Sequence, residues 1–199
     1  MKISDDIKKF ALRFINLSLM FILLSSKSVV YAQTINVDGT SFYKILTVSD
    51  YQLQLKGTAL LRYLVFIEAY AGALYLPEDI RSDQALKNIP RHLVLDYRVG
   101  ISASKFADAT TIKIKESVSN EVYNRLYPKI NQLNRLYRDV NSGDRYALTY
   151  IPGKGTTLTY NTIPLGTIEG IEFSKALFSI WIGENPIDVG FRDRLLGKI

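Results

Sequence analysis

The sequence predicts an α+β fold, in which an antiparallel β-sheet carries a layer of helices on one face. Strand-like segments, either alternating or wholly apolar, fill residues 33–100 and return over residues 146–167. Residues 102–140 and 171–196 instead carry apolar side chains every three or four positions, which is the period of helices. Strands grouped before helices are typical of an α+β layer fold. The length of 199 residues and the hydrophobic content of 47% fit one globular domain.

The first 32 residues are predicted to be a secretory signal peptide, outside that domain. They begin with basic side chains and continue with a mostly apolar run, residues 14–24, that is too short to span a membrane. Val30 and Ala32 suit a cleavage site after Ala32, and an uncleaved membrane anchor is the alternative. Residues 1–32 hold five basic and two acidic side chains, so cleavage leaves 20 against 17, a net charge of +3 rather than +6. We expect the mature domain, residues 33–199, to be periplasmic or secreted, with no stable membrane anchor.

Residues 33–100 are predicted to form strands. Asp38-Gly39 is a hairpin signal between two short segments. The segment from Gly57 to Pro77 is almost wholly apolar, which favours a buried strand pair, although the period alone also permits a helix. The remaining strands predicted in this half are residues 43–48, 51–56 and 93–99.

Residues 102–140 are predicted to be helical because their apolar side chains form one stripe. Ser102 or Ser104 can cap the start, and Pro128 is expected to begin a new helix or to kink this one. The stripe consists of Val118, Val122, Leu126, Ile130, Leu133 and Tyr137.

The last third of the chain is predicted to be a strand meander followed by two helices. Pro164 restricts the third strand to a sheet edge, because proline cannot donate a ladder hydrogen bond. Gly183 ends the first helix and Asp188 caps the second. The predicted strands are residues 146–151, 156–160 and 163–167, and the helices are residues 171–182 and 188–196.

The composition excludes several chemistries. The chain has no cysteine, hence no disulfide, no thiol nucleophile and no thiolate metal site. Its one histidine, His92, rules out a multi-histidine zinc site, and we expect it at the surface before a strand. No run rich in lysine and arginine remains after the signal, so a nucleic-acid partner is not expected. Residues 152–155 are a turn between strands rather than a phosphate loop. We expect no cofactor.

Arg62 is the first candidate binding residue, because it stands in an apolar segment and its guanidinium stays charged in any protein environment. Its partner is either Glu68, in a structural ion pair, or the carboxylate of a ligand held by two parallel hydrogen bonds. The hydroxyl of Tyr70 or Tyr75 could complete such a clamp, although each tyrosine can equally serve core packing. Lys113 and Lys115 are interpreted as part of a solvated helix face.

Three groups of residues stand in order along the chain: the segment from Gly57 to Pro77, the turns Gly143-Asp144-Arg145-Tyr146 and Pro152-Gly153-Lys154-Gly155-Thr156, and the segment from Phe173 to Gly183. Together they resemble the chalcone isomerase-like family and, more narrowly, its exported bacterial branch. The resemblance covers nearly all of the mature chain. It implies a curved sheet with a ligand cleft between the sheet and the helical layer.

In plant chalcone isomerases, a strand arginine orients an anionic flavonoid, helped by a strand threonine, a helix tyrosine and asparagine, and a late serine or threonine. The resemblance places Arg62, Asn120 and Ser174 at the arginine, asparagine and late hydroxyl positions. It places Tyr70 at the threonine position and Lys113 at the tyrosine position, and these departures disfavour flavonoid cyclisation. A lysine can still donate hydrogen bonds and attract an anion. Non-catalytic relatives bind fatty acids with an arginine and a tyrosine, an arrangement similar to Arg62 with Tyr70 or Tyr75.

Three functional hypotheses follow. The first is an exported binding protein for a fatty acid or similar amphiphilic carboxylate, with Arg62 recognising the charge and Tyr70 or Tyr75 donating beside it. The second is an isomerase or intramolecular lyase acting on a chalcone-like or other enone substrate, with Arg62, Asn120 and Ser174 as electrostatic stabilisers. The third is an interaction module whose cleft is filled by its own side chains.

Overall fold

The computed structural model describes residues 33–63 and 67–199. The predicted signal peptide, residues 1–32, lies outside the described residues and stays a prediction. The strands are β1 Thr34–Val37, β2 Thr40–Tyr43, β3 Ile45–Val48, β4 Tyr51–Tyr63, β5 Ile67–Leu76, β6 Arg91–Tyr97, β7 Arg145–Ile151, β8 Gly155–Tyr160 and β9 Ile163–Ile168. The helices are α1 Ala103–Ser117, α2 Asn120–Asn134, α3 Ile171–Ile182 and α4 Val189–Leu195, with a short 3₁₀ helix over Ser82–Gln84.

The main sheet has seven strands in the order β3-β4-β5-β6-β7-β8-β9, each antiparallel to its neighbours. The predicted α+β class, with a curved antiparallel sheet and a helical layer, is therefore confirmed. The hairpin β1–β2 forms a separate two-stranded sheet. Its turn residues Asp38 and Gly39 have φ angles of 45° and 86°, as a two-residue hairpin turn requires.

The helical region divides at a different residue from the one that the sequence predicts. Pro128 lies inside α2, whereas the new helix begins after Val118, whose backbone is extended. Ser119 makes this break, because its hydroxyl accepts a hydrogen bond from the Val122 amide and so caps α2. Ser102 caps α1 in the same way, as predicted.

The sheet buries side chains on both faces, and β5 shows this best. Tyr70 and Leu74 point to the large core between the sheet and the helices. Ala73 and Tyr75 point to a smaller core that also contains Phe42 of the β1–β2 hairpin. Residues 69–76 are buried on both faces, as the apolar run predicts, whereas the paired residues of β4 are mostly half-exposed.

The C-terminal helix α4 closes one end of the large core by approaching the sheet very closely. A Cβ atom at Gly57 would lie 2.0 Å from the Arg194 carbonyl oxygen, and one at Gly72 would lie 2.5 Å from the Phe191 ring. Glycine at these two strand positions therefore sets the depth at which α4 packs. None of the helices in the described residues is long and apolar enough to cross a membrane.

Candidate functional site

A cavity of about 240 Å³ lies between the helix-covered face of the sheet and the helical layer. Its lining comes from β5 to β8 on one side and from α1 and α3 on the other. The sheet side is buried, whereas Lys105 and Ala109 of α1 and Ile187 after α3 are exposed. The mouth of the cavity therefore lies beside α1 and the segment that follows α3.

The inner wall is a cluster of aromatic rings. Tyr97, Phe106 and Tyr146 contact one another edge to face, with ring centroids 5.3–6.0 Å apart. The Tyr70 ring contacts Tyr97 at 5.4 Å, and Tyr137 stacks on Phe106 at 5.4 Å. Edge-to-face and offset contacts of this kind hold large rings in fixed positions. The wall is therefore apolar and preformed.

A few hydroxyl groups interrupt the apolar wall. The Tyr70 hydroxyl accepts a hydrogen bond from Trp181 Nε1 at 3.1 Å, and the hydroxyls of Thr110 and Tyr137 are 2.9 Å apart. The Tyr97 hydroxyl has no hydrogen-bond partner within residues 33–63 and 67–199. Burial raises the pKa of the Tyr70, Tyr97 and Tyr137 phenols far above their ordinary value, so all three stay neutral and able to donate.

The charged groups of the lining are two lysines of α1. Lys105, Ala109 and Lys113 follow one another at four-residue intervals, which places them on one helix face. The Lys113 side chain is only 20% exposed, and its ammonium lies 3.0 Å from Glu116 Oε2. No acidic side chain of the described residues lines the cavity. The arrangement suits an elongated apolar molecule with an anionic end.

Residues 33–197 match the sequence profile of a family described as chalcone isomerase-like. The chain belongs to the chalcone isomerase-like family. Among solved structures, a fatty-acid binding protein from Arabidopsis thaliana is similar to this chalcone isomerase-like protein, with a TM-score of 0.68 and 15% identity. The match covers 83% of this chain and 96% of that one, and at such low identity it shows the fold alone. No curated protein matches the sequence.

Five binding residues are predicted from the sequence of this chalcone isomerase-like protein. Among them, Tyr70 is in the described lining of the cavity and the other four are not. Arg62 is absent from the described lining, and its side chain is 51% exposed. It pairs with Glu68 at 3.2 Å, directly across the β4–β5 ladder. Glu68 also pairs with Arg98 at 3.1 Å. The structural ion pair weighed from the sequence is thus present, and the structure does not assemble an Arg62 clamp with Tyr70 or Tyr75.

Tyr75 and Asn120 also lie away from the cavity. Tyr75 is on the opposite face of β5 from Tyr70, because the two differ by an odd number of positions and β5 pairs with β6 without a register shift. One bulge of the β4–β5 ladder is in β4, between Leu55 and Gly57, and the other is at Ala69 of β5, before Tyr70. The alternation from Tyr70 to Tyr75 is therefore intact. Asn120 is the exposed first residue of α2.

Ser174 is fully buried in α3, where it contacts the guanidinium of Arg91 rather than the cavity. Its hydroxyl accepts a hydrogen bond from Arg91 Nη2 at 2.9 Å. Arg91 Nη1 donates to the carbonyls of Ala85 and Lys87, each at 2.8 Å. The Arg91 guanidinium also lies over the rings of Tyr150 and Phe178, at 4.5 and 4.9 Å from their centroids. Burial lowers the pKa of Arg91 to about 10.

Sequence reasoning missed the role of Arg91 in this family member and gave two interpretations of Lys113. Arg91 gave no signal, because an arginine between a proline and His92 is typical of a surface turn. The charge pattern of α1 predicts that Lys113 is part of a solvated face, whereas the family resemblance places it at a site position. Within the described residues there is no cluster of three or more side chains able to hold a metal ion.

Proposed function

We propose that this chalcone isomerase-like protein is an exported binding protein for a fatty acid or similar amphiphilic carboxylate, held in the cavity between the sheet and the helices. The observation that carries the proposal is an apolar, preformed cavity of about 240 Å³ whose lining cations stand at the α1 side. An alkyl chain gains about 0.8 kcal/mol for each buried CH₂ group, and a carboxylate kept near the mouth stays partly hydrated.

The size of the cavity favours a chain of moderate length. Sites for drug-sized ligands have volumes of roughly 300–1,000 Å³. The cavity, at about 240 Å³, is slightly smaller. A saturated carboxylate such as decanoate is therefore a suitable first probe. The fatty-acid binding protein of the same fold supports the choice of ligand class.

The geometry favours binding over the two alternatives. An electrostatic stabiliser of an enone reaction must lie within hydrogen-bond distance of the developing charge. Arg62, Asn120 and Ser174 are not among the residues described along the cavity, which argues against their acting together on a substrate there. An interaction module with a filled cleft would have no such cavity.

Two tryptophan variants on α1 test binding in the cavity. Ala109→Trp places an indole at the mouth, whereas Ile112→Trp places the same side chain at an exposed position outside the described lining. Calorimetric titration with decanoate should show at least a tenfold loss of affinity in Ala109→Trp and little change in Ile112→Trp. Mass spectrometry of an organic extract of the parent protein should show a bound fatty acid. A parent that carries none and takes up no decanoate would refute the proposal.

Export is tested separately. Expression of the full chain in a host with a general secretory pathway should give a protein whose intact mass corresponds to residues 33–199. A periplasmic product that retains residues 1–32 would instead support the uncleaved anchor.

A further inference from the structure

Two lysines stand beside an apolar cavity that has no other charged group in its described lining. We propose that Lys113 binds the ligand carboxylate at the mouth, with Lys105 adding a second positive charge, so that the alkyl chain points inward toward Tyr70. This inference rests on the proposed function, because it assumes that the ligand is an amphiphilic carboxylate. The residue that recognises the ligand carboxylate is then on helix α1, rather than Arg62 on the sheet as the sequence predicts.

The position of the charges decides the orientation of the ligand. Lys105 and Lys113 lie eight residues apart on one face of α1, or about 12 Å at 1.5 Å per residue. They therefore flank Ala109, which is exposed at the mouth. Flexible lysine side chains can swing their ammonium groups toward a carboxylate between them.

Lys113 is the better placed of the two. Its side chain is 20% exposed, so water screens an ion pair there less than at the exposed Lys105. Its present partner, Glu116, has a 49% exposed side chain and belongs to the next turn of the same helix. A pair between positions i and i+3 of one helix contributes only about 0.2–0.5 kcal/mol, so a ligand carboxylate can compete for the Lys113 ammonium.

The inner end of the cavity offers no comparable site for a charge. Its described polar groups are neutral, and those of Tyr70, Trp181, Thr110 and Tyr137 already bond to one another. The Tyr97 hydroxyl could donate a hydrogen bond, and so could the Tyr70 hydroxyl, which only accepts one from Trp181, but neutral donors without a charge do not compensate a carboxylate for the loss of its hydration. A carboxylate at the mouth, beside the ammonium groups, is the favoured arrangement.

The test compares decanoate with decanol, which has the same chain without the charge, on four variants titrated at neutral pH. Lys113→Met should bind decanoate about tenfold more weakly than the parent, since it loses a charge-assisted hydrogen bond, and should bind decanol as the parent does. Lys105→Met should lose about threefold for decanoate. Lys115→Met is the matched control, because Lys115 is exposed on the same helix and is not among the described lining residues. Glu116→Gln removes the competing carboxylate and should strengthen decanoate binding.

The outcomes separate this inference from the function on which it rests. Selective loss of decanoate binding in Lys113→Met, with Lys115→Met unchanged, supports the anchor. Equal decanoate affinity in the parent and Lys113→Met overturns the anchor and leaves the binding function standing. A fifth variant, Tyr97→Phe, probes the inner end: selective loss of decanoate binding there, with Lys113→Met unchanged, also overturns the anchor and places the carboxylate at the inner end. A parent that binds neither compound refutes the proposed function together with the anchor.

Discussion

Removal of the Ser174 hydroxyl is expected to destabilise the protein without weakening ligand binding. The hydroxyl is fully buried and accepts a hydrogen bond from Arg91 Nη2 at 2.9 Å. In Ser174→Ala that charged donor loses its partner beside Arg91 Nε, which already has no partner among the described residues. A hydrogen bond to a charged group contributes about 1.5–3 kcal/mol. The higher helix propensity of alanine offsets this loss of stability by about 0.5 kcal/mol. The net expected loss is therefore about 2 kcal/mol.

Ser179→Ala is the matched control in the same helix. The Ser179 hydroxyl bonds to the Ala176 carbonyl at 2.8 Å, within α3 itself, so its loss leaves no charged group without a partner. We expect this variant to stay within about 0.5 kcal/mol of the parent, because the lost bond and the gain in helix propensity nearly cancel.

The assay is thermal unfolding followed by circular dichroism, with decanoate titration of the folded variants. For a domain of this size, a loss of 2 kcal/mol corresponds to a fall of roughly 4–8 °C in Tm. Decanoate affinity should be unchanged, because Ser174 is not among the described lining residues. If Ser174→Ala unfolds like Ser179→Ala but binds decanoate more weakly, Ser174 is a ligand group and the structural role is wrong.

Two further predictions concern pH and packing. Burial lowers the pKa of His92 to about 4, so NMR titration of this one histidine should show no transition near pH 6.5. In the unfolded chain the imidazole binds a proton at about pH 6.5, so the free energy of unfolding should fall by up to about 3 kcal/mol as the pH drops from 6.5 to 4. His92→Gln should flatten this pH dependence of stability. A measured His92 pKa near 6.5 would contradict the burial argument. Gly57→Ala should destabilise by at least 1–3 kcal/mol in thermal unfolding, because its Cβ would lie 2.0 Å from the Arg194 carbonyl oxygen. Gly100→Ala should be nearly neutral, since its Cβ would lie 3.5 Å from the nearest atom, and equal Tm values for the two variants would rule out a tight contact with α4.

Much of the fold could be predicted from local patterns. The end of α3 at Gly183 and the capping of α4 by Asp188 agree with the structure, because both depend on residues a few positions apart. The break between α1 and α2 lies at Ser119, whereas the sequence predicts a new helix or a kink at Pro128, because a proline gives a stronger signal than a serine cap inside a helical period.

The candidate site was harder to predict, because it depends on which strand ends and helix faces the rest of the chain covers. The apolar sequence around Arg62 gave no sign that the side chain would be half-exposed at the end of β4. The burial of Arg91 depends on Ser174, which is 83 positions away along the chain. The charge of Lys113 indicated a surface, and its helical period could not show that a cavity opens beside it. Alternation in β5 did place Tyr70 and Tyr75 on opposite faces, and only Tyr70 reaches the cavity.

The position of the one tryptophan makes its fluorescence an intrinsic reporter of the cavity. Trp181 lies in the cavity wall, and its indole donates a hydrogen bond to the Tyr70 hydroxyl. All tryptophan emission therefore originates at the wall of the site. Tyr70, whose hydroxyl lies 3.1 Å from the indole nitrogen, can pass excitation energy to the indole. Occupation of the cavity can thus be followed as a change in emission wavelength, in real time and without any attached label.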